Sequence, residues 1–346
     1  MALEEDTMTP NMPSSFHFNT SEGFTHQTIS AIKLTSAAFL LVTFVFGLVM
    51  NTLYLWVLTF RTRRSVNSTW FFHLILGNLL FTLSIPFFTA YVIMKPRWIF
   101  GLYMCKIINS VISLDMYVTV FILIVISIDR YCLVFHPIWY RRYMNPKIAT
   151  VICLLLWFLA LLLTSPYFLF RQVKYENNVT ICENDYTLSG RWNRQRVKWI
   201  MFTTRLFLGL IIPFAVITSC YLKIIIKISK DNMARSNKPY RVICIAIISF
   251  FVSWTPYHMW YGMSSDQDRF PESLLNVLQM LTNCFACLNS CFTPVLYLFT
   301  VENFKTMFRR SLLDFIELVF NETISSANRS IDEKREQQSL SKEEKT

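Results

Sequence analysis

Apolar residues along this 346-residue chain gather in long blocks separated by short polar stretches, at about 31–60, 68–94, 106–135, 147–170, 198–226, 240–262 and 274–300. Each approaches or exceeds the roughly 20 residues that a helix needs to cross a ~30 Å hydrocarbon core. Only helices and closed barrels satisfy their backbone in lipid, and barrel strands are about half this length. The pattern predicts an all-α membrane protein, a seven-transmembrane helix bundle. The third block carries the most informative local feature: it runs from Cys105 to Asp129-Arg130-Tyr131. As a helix, that stretch is roughly 37 Å long, with a thiol at one membrane face and an acid–base–phenol cluster at the other.

The polar stretches define the remaining organisation. Residues 1–30 are polar and acidic, with no apolar segment of signal-peptide type; they are expected to form a disordered, extracellular, glycosylated tail, with the first span as an uncleaved anchor. Residues 31–300 form the membrane domain. Across 301–320, Phe304, Phe308, Leu312 and Phe315 recur at helical spacing against Lys305, Arg309 and Arg310, which predicts a short amphipathic eighth helix on the membrane surface. Residues 321–346, rich in Lys, Glu, Ser and Gln, are expected to be a disordered cytoplasmic tail. No internal repeat of the transporter kind is visible.

Charge sets the expected orientation. Charged residues make up only 16% of the chain, well below the ~25% of soluble proteins, and the basic ones cluster in alternate connections. Arg61, Arg63 and Arg64, then Arg141, Arg142 and Lys147, then Lys223, Lys227, Lys230, Arg235 and Lys238 share one side with the C-terminal tail. By the positive-inside rule that side is cytoplasmic and the N-terminus is extracellular. The net charge of +11 is then a signal for membrane lipids and a cytosolic partner, not for nucleic acid. Arg191, Arg194, Arg196 and Lys198 break the rule on the outer face. Asn19 and Asn178 head glycosylation triplets on the expected outer side, whereas those at Asn67, Asn321 and Asn328 fall inside. Of nine cysteines, Cys105 and Cys182 alone fall outside, where an oxidising environment favours a bridge between them.

Several short motifs occur in order along the blocks. Asn51 closes Gly47-Leu48-Val49-Met50-Asn51, and Trp98-Ile99-Phe100-Gly101 precedes Cys105. Pro137 follows Asp129-Arg130-Tyr131, Trp157 and Pro166 mark the fourth block, and Pro213 with Tyr221 the fifth. The sixth contains Phe250-Phe251-Val252-Ser253-Trp254-Thr255-Pro256 and the seventh Thr293-Pro294-Val295-Leu296-Tyr297. On these residues the chain, over roughly 30–315, resembles the class A (rhodopsin-like) G-protein-coupled receptors. Phe71-Phe72-His73-Leu74, Pro86 and Lys238-Pro239 are similar to the chemoattractant branch of formyl-peptide, anaphylatoxin and chemerin receptors. Tyr54-Leu55-Trp56-Val57 and Tyr297-Leu298-Phe299 with Glu302-Asn303-Phe304 resemble an orphan member of that branch.

The resemblance implies a plasma-membrane receptor, without a cofactor and not an enzyme, that couples ligand binding to a heterotrimeric G protein of the inhibitory class. It implies that Asp129, Arg130 and Tyr131 face the G protein, that Tyr221 and Tyr297 capture Arg130 on activation, that Pro256 and Pro294 kink helices that can pivot, and that Trp254, just below the ligand pocket, is the lever, with Phe250 beside it. Ser325, Ser326, Ser330, Ser339 and Ser341 are candidate sites for receptor kinases and arrestin. Ile112 stands where amine receptors carry an aspartate, so the expected ligand is a peptide C-terminal carboxylate or an acidic lipid. It would be met by Arg205, with Tyr117, Tyr257 and His258 nearby. The alternatives for Arg205 are an outward, snorkelling side chain or an ion pair with Glu183 or Asp185.

Two positions depart from the family pattern: Asn78 replaces an Asp in the second block, and Thr293 replaces the Asn before Pro294. Asp115 lies about 15 Å below Cys105 along the helix, so an acid and an amide have exchanged places. Asp115 and Thr119 share a helix face; with Asn78, Asn289 and Ser290 they could form a sodium pocket, or Asp115 could be protonated and bonded to Asn78. The departures also keep open a second class of function, a scavenger that internalises chemoattractant without signalling. A channel, transporter or enzyme lacks support: there is no charged pore ring, metal cluster or nucleophile–base pair in the sequence.

Overall fold

The computed structural model describes residues 20–94, 97–176, 179–190, 193–230, 238–266 and 269–298, together with the helical positions Leu313, Glu317 and Asn321. The sequons at Asn19 and Asn178, the C-terminal tail and nearly all of the expected amphipathic helix lie outside them. Six described helices are long and apolar enough to cross a membrane. They fall in α1 (Thr20–Trp56), α2 (Val66–Met94), α3 (Gly101–Phe135), α5 (Pro146–Phe170), the pair α6 (Arg194–Leu206) and α7 (Ile212–Lys230), and α9 (Glu272–Leu298), and a further long helix, α8 (Lys238–Ser264), stands between the last two. A short helix α4 (Pro137–Tyr143) joins α3 to α5.

Helix α1 begins at Thr20, inside the stretch expected to be a disordered tail. Once a helix is nucleated, each further residue adds a hydrogen bond at little cost, so a long apolar span can propagate into a polar flank. Sequence also did not anticipate the hairpin between α5 and α6. Strands β1 (Arg171–Glu176) and β2 (Val179–Asn184) pair antiparallel, with Val173 opposite Cys182.

Helix ends follow local chemistry. The Asn145 side chain accepts from the backbone N–H groups of Lys147 and Ile148 at 3.0 and 3.1 Å, with Pro146 at the first helical position. Asn193 caps α6 in the same way. The fifth span is interrupted by a π-helical turn, Phe207–Ile211, just before Pro213. Proline cannot donate to the preceding turn, and a widened turn absorbs the mismatch within the helix. Pro86, Pro166 and Pro256 sit inside α2, α5 and α8.

The packing is that of a protein in lipid. Leu154, Leu155, Phe158, Leu161 and Leu162 of α5 are exposed, while the core holds Trp70, Leu74, Met116, Tyr117, Val120 and Trp254. Close to the mid-height of the bundle α1, α2 and α9 are tied by polar groups. Asn51 Nδ2 donates to the carbonyls of Gly47 and Ser290 (2.8 and 3.2 Å), and Ser290 Oγ donates to the carbonyl of Asn78 (3.1 Å).

Candidate functional site

The disulfide end of the bundle is built on the Cys105–Cys182 bond, which ties α3 to β2. Trp98 packs in one cluster with Cys105 and Ile108, and its indole N–H donates to the Gly101 carbonyl at 2.8 Å. Gly101 has φ +75°, a conformation readily open only to glycine. The Trp98-Ile99-Phe100-Gly101 motif is therefore a turn that leads the chain into α3 at the right angle for the bridge.

Behind that bridge lies a buried cation. Arg205, the last-turn residue of α6, is only 1% exposed. Its guanidinium lies over the rings of Tyr167 (4.3 Å), Tyr257 (4.6 Å) and Tyr261 (5.4 Å), and Nη2 donates to Ser113 Oγ of α3. Nε has no hydrogen-bond partner. No ion pair to a carboxylate is present among the described residues. The two alternatives expected from sequence are therefore corrected: the side chain does not snorkel outward, and the outer acids are taken by another base. Lys174 Nζ is 2.8 Å from Glu183 and 3.5 Å from Asp185. The hydrogen bond with Glu183 raises the Lys174 ammonium above its ordinary range, and the Thr187 hydroxyl and N–H hold the Asp185 carboxyl below its own. Position along the strands decides this, because Lys174 lies beside both acids in the hairpin, whereas Arg205 faces inward from α6.

Tyr117, Tyr257 and His258, the other expected ligand residues, are buried in the same region. Tyr117 interacts electrostatically with Arg205 and Tyr167. Both ring nitrogens of His258 lack partners, and its ring carbon approaches Gly209 beside the Met116 side chain. Sequence reasoning missed Arg171. It caps α5 as the first residue of β1 and donates to the Cys182 carbonyl at 3.1 Å. Burial lowers the pKa of its guanidinium, and its electrostatic neighbours include Tyr186, Tyr261 and Arg205. A basic residue just after an apolar span carries no signal of burial in the sequence; the hairpin supplies its partner at Cys182.

The opposite end centres on Asp129 and Arg130. The expected pair is present but loose, with Nε to Oδ2 at 3.7 Å. Asp129 Oδ1 instead accepts from the Tyr140 hydroxyl (2.7 Å) and the Trp70 indole N–H (3.2 Å), and Arg130 Nη2 donates to Asn67. Helix α4 supplies Tyr140 and α2 supplies Trp70 and Asn67, three participants that the tripeptide could not reveal. Tyr131 stacks on Phe135 (4.5 Å), and the Lys223 ammonium lies 5.7 Å from the Tyr131 ring. Tyr221 is buried on α7. Pro294 and Tyr297 lie in α9, but their side chains fall outside the described residues.

Between the two ends, Trp254 and Phe250 are both 1% exposed. Ring contacts run down α8 from Tyr261 to Tyr257 (6.1 Å), to Trp254 (5.6 Å) and to Phe250 (6.1 Å). The polar-core residues are only partly brought together. Asp115 Oδ1 lies 3.5 Å from the Thr119 hydroxyl, at the limit of a hydrogen bond, and packs against Gly77. Ser290 bonds to Thr82 and to the Asn78 backbone, and Asn289 is buried nearby in sequence. Neither side-chain atom of the fully buried Asn78 has a partner. The Asp115–Asn78 hydrogen bond, the alternative to a sodium pocket, is therefore not formed.

Comparison with known proteins matches this architecture. The family described as "7 transmembrane receptor (rhodopsin family)" matches residues 28–297. "Probable G-protein coupled receptor 33" of Mus musculus is 38% identical over 329 residues, covering 91% of this chain and 96% of the relative. "C3a anaphylatoxin chemotactic receptor" of Oncorhynchus mykiss is 33% identical over 284 residues (81% and 78%). "Chemerin-like receptor 1" of Sus scrofa is 32% identical over 274 residues (75% and 75%). Apolar spans and relatives together make this a multi-pass protein of the plasma membrane, a receptor and not an enzyme. The chain belongs to the rhodopsin family of seven-transmembrane, G-protein-coupled receptors, among relatives of the chemoattractant kind.

Proposed function

We propose that this receptor takes an anionic extracellular ligand at the disulfide end, and that it signals through inhibitory-class G proteins at the Arg130 end. The observation that carries the reading is Arg205, a cation removed from water with no carboxylate among the described residues. A buried charge is costly unless it is paired, and a guanidinium suits bidentate binding of a carboxylate or phosphate. Arg171 adds a second positive charge to the same region. The surrounding tyrosines and Trp254 suit an apolar body behind the acid group. A peptide ending in a free carboxylate or an acidic lipid meets both demands, and Arg194, Arg196 and Lys198 raise its concentration at the entrance.

The N-terminus, Asn19 and Asn178 lie outside in this reading, and the basic connections lie inside, next to anionic lipids. Asp129, Tyr140 and Trp70 hold the resting state, and ligand favours a conformer in which Arg130 meets the G protein. Such a shift requires ligand affinity to differ between the two states. Phosphorylation of the tail serines by receptor kinases then recruits arrestin. The polar core supports a second element: Asp115 binds sodium with Thr119, Asn78, Asn289 and Ser290, because both the buried Asp115 carboxylate and the buried Asn78 amide oxygen have acceptor capacity that no donor among the described residues fills.

The test compares inhibitory G-protein dissociation with arrestin recruitment. Cells expressing the receptor, its Arg130→Ala form or its Arg205→Gln form are given fractionated peptides and acidic lipids from inflamed tissue. Dissociation that is lost in Arg130→Ala and weakened at least tenfold in Arg205→Gln supports the reading; equal potency in Arg205→Gln removes the anionic ligand. Arrestin recruitment or uptake without dissociation favours the scavenger, the reading that the unusual Asn78 and Thr293 support.

A further inference from the structure

Arg205 does more in this arrangement than wait for an anion. Its guanidinium sits between the ring of Tyr167 on α5 and the rings of Tyr257 and Tyr261 on α8, at 4.3, 4.6 and 5.4 Å. Ser113 on α3 holds it in place. One charge thus gathers the third, fourth, fifth and sixth spans. Both α8 contacts lie on the disulfide side of Pro256, and Tyr257 passes directly to Trp254 on the other side of that proline. Proline frees a carbonyl and allows a helix to hinge. A force on α8 at Tyr257 and Tyr261 therefore sets the angle of the helix below. In the same structure Asp129 is held by Tyr140 and Trp70, and Arg130 by Asn67, at the opposite end, so the clasp belongs to the closed state.

The geometry points to a charge-operated clasp, in which the cation–π contacts of Arg205 with Tyr257 and Tyr261 hold the sixth span inward. This rests on the proposed anionic ligand site and goes a step further. A cation is drawn to a ring face by its charge, and an anion bound to the guanidinium cancels that attraction. Anionic ligands then release α8 and activate, whereas neutral molecules of the same shape fill the pocket, leave the clasp closed and block. The ligand's negative charge sets efficacy as well as affinity.

Removing the charge or the rings should open the clasp without any ligand. The experiment uses the full-length receptor with an environment-sensitive fluorophore on Ile245→Cys, at an exposed position in the Arg130-side half of α8, in a background where Cys132, Cys220, Cys244 and Cys284 are serine. Arg205→Leu and the double change Tyr257→Leu with Tyr261→Leu are each expected to raise the open population by roughly three- to tenfold, from the strength of desolvated cation–π contacts. Combining them adds little, since both remove one interaction. Arg205→Lys, which keeps the charge and tolerates folding better, stays closer to wild type than Arg205→Leu. Unchanged fluorescence in Arg205→Leu and in the tyrosine pair, or full additivity, overturns the clasp. Basal G-protein dissociation is read in parallel with Asp129→Asn as reference. A fluorescence change with no dissociation in any variant keeps the clasp and removes the signalling reading.

Discussion

A single methyl group tests the packing between the fifth and sixth spans that frames the candidate ligand site. Gly262 is in the last turn of α8, and a Cβ placed there would lie 2.8 and 2.9 Å from Cζ and Cε2 of Phe202 on α6. Ordinary carbon contacts are about 3.5–4.0 Å, so ring or helix must move by more than half an ångström. The ring cannot move freely: it stacks on Tyr261 at 6.1 Å and meets Trp199 edge-on at 5.7 Å. Overpacking of this kind costs about 1–3 kcal/mol. Replacing a helical glycine by alanine returns at most about 1 kcal/mol, and less near a helix end. The net expectation for Gly262→Ala is a loss of about 1–2 kcal/mol, or a fall in melting temperature of about 2–5 °C. Melting can be followed in detergent with a thiol-reactive dye, because Cys153, Cys287 and Cys291 are buried and unbridged and become reactive on unfolding. Phe202→Leu makes room for the methyl, so it should cost clearly less in the Gly262→Ala background than in wild type. A Gly262→Ala receptor that melts at or above wild type, or two changes that simply add, would refute the reasoning.

Other consequences follow from the same contacts. Tyr140→Phe removes the 2.7 Å hydrogen bond to Asp129 and should raise basal G-protein dissociation about two- to tenfold, the range for one typical net hydrogen bond; Tyr143→Phe, on an exposed ring of the same helix, should not. Cys182→Ser opens a bridge between residues separated by 77 positions and should cost about 2–5 kcal/mol, read as loss of surface receptor; normal surface levels would contradict it. Sodium should lower agonist-independent activity in wild type but not in Asp115→Asn, and an equal response in both would remove Asp115 as the cation ligand. Gly77→Ala places a methyl 3.3 Å from Asp115 Oδ1 and should weaken the sodium effect without abolishing expression.

The functional reading was legible to different depths at the two ends. Asp129-Arg130-Tyr131 singles out the end proposed for coupling because ionised residues at the edge of an apolar span are rare and costly. The tripeptide does not show that Asp129 is held by Tyr140 and Trp70, since these come from α4 and α2 and meet only on packing. Arg205 was visible as a charge in an apolar block, yet its partners were not. Glu183 and Asp185 were as plausible as three tyrosines until the hairpin gave both acids to Lys174. Arg171 was hidden altogether, because a basic residue at a span's end ordinarily lies in the interface.

Residue order is enough to specify a seven-span bundle, which end of each helix carries charge, which two cysteines bridge and which family the chain resembles. These follow from local and strong constraints, namely the bilayer's thickness, the cost of an unpaired backbone in lipid and the chemistry of single side chains. Tertiary structure alone decided that Arg205 is enclosed by Tyr167, Tyr257 and Tyr261, that Asp115 and the Asn78 amide remain apart, and that Gly262 meets Phe202. Those pairings join residues on different helices, where rotations of a few tens of degrees exchange one neighbour for another. Apolar periodicity in lipid constrains that rotation weakly, because the lipid-facing and core-facing sides are both hydrophobic.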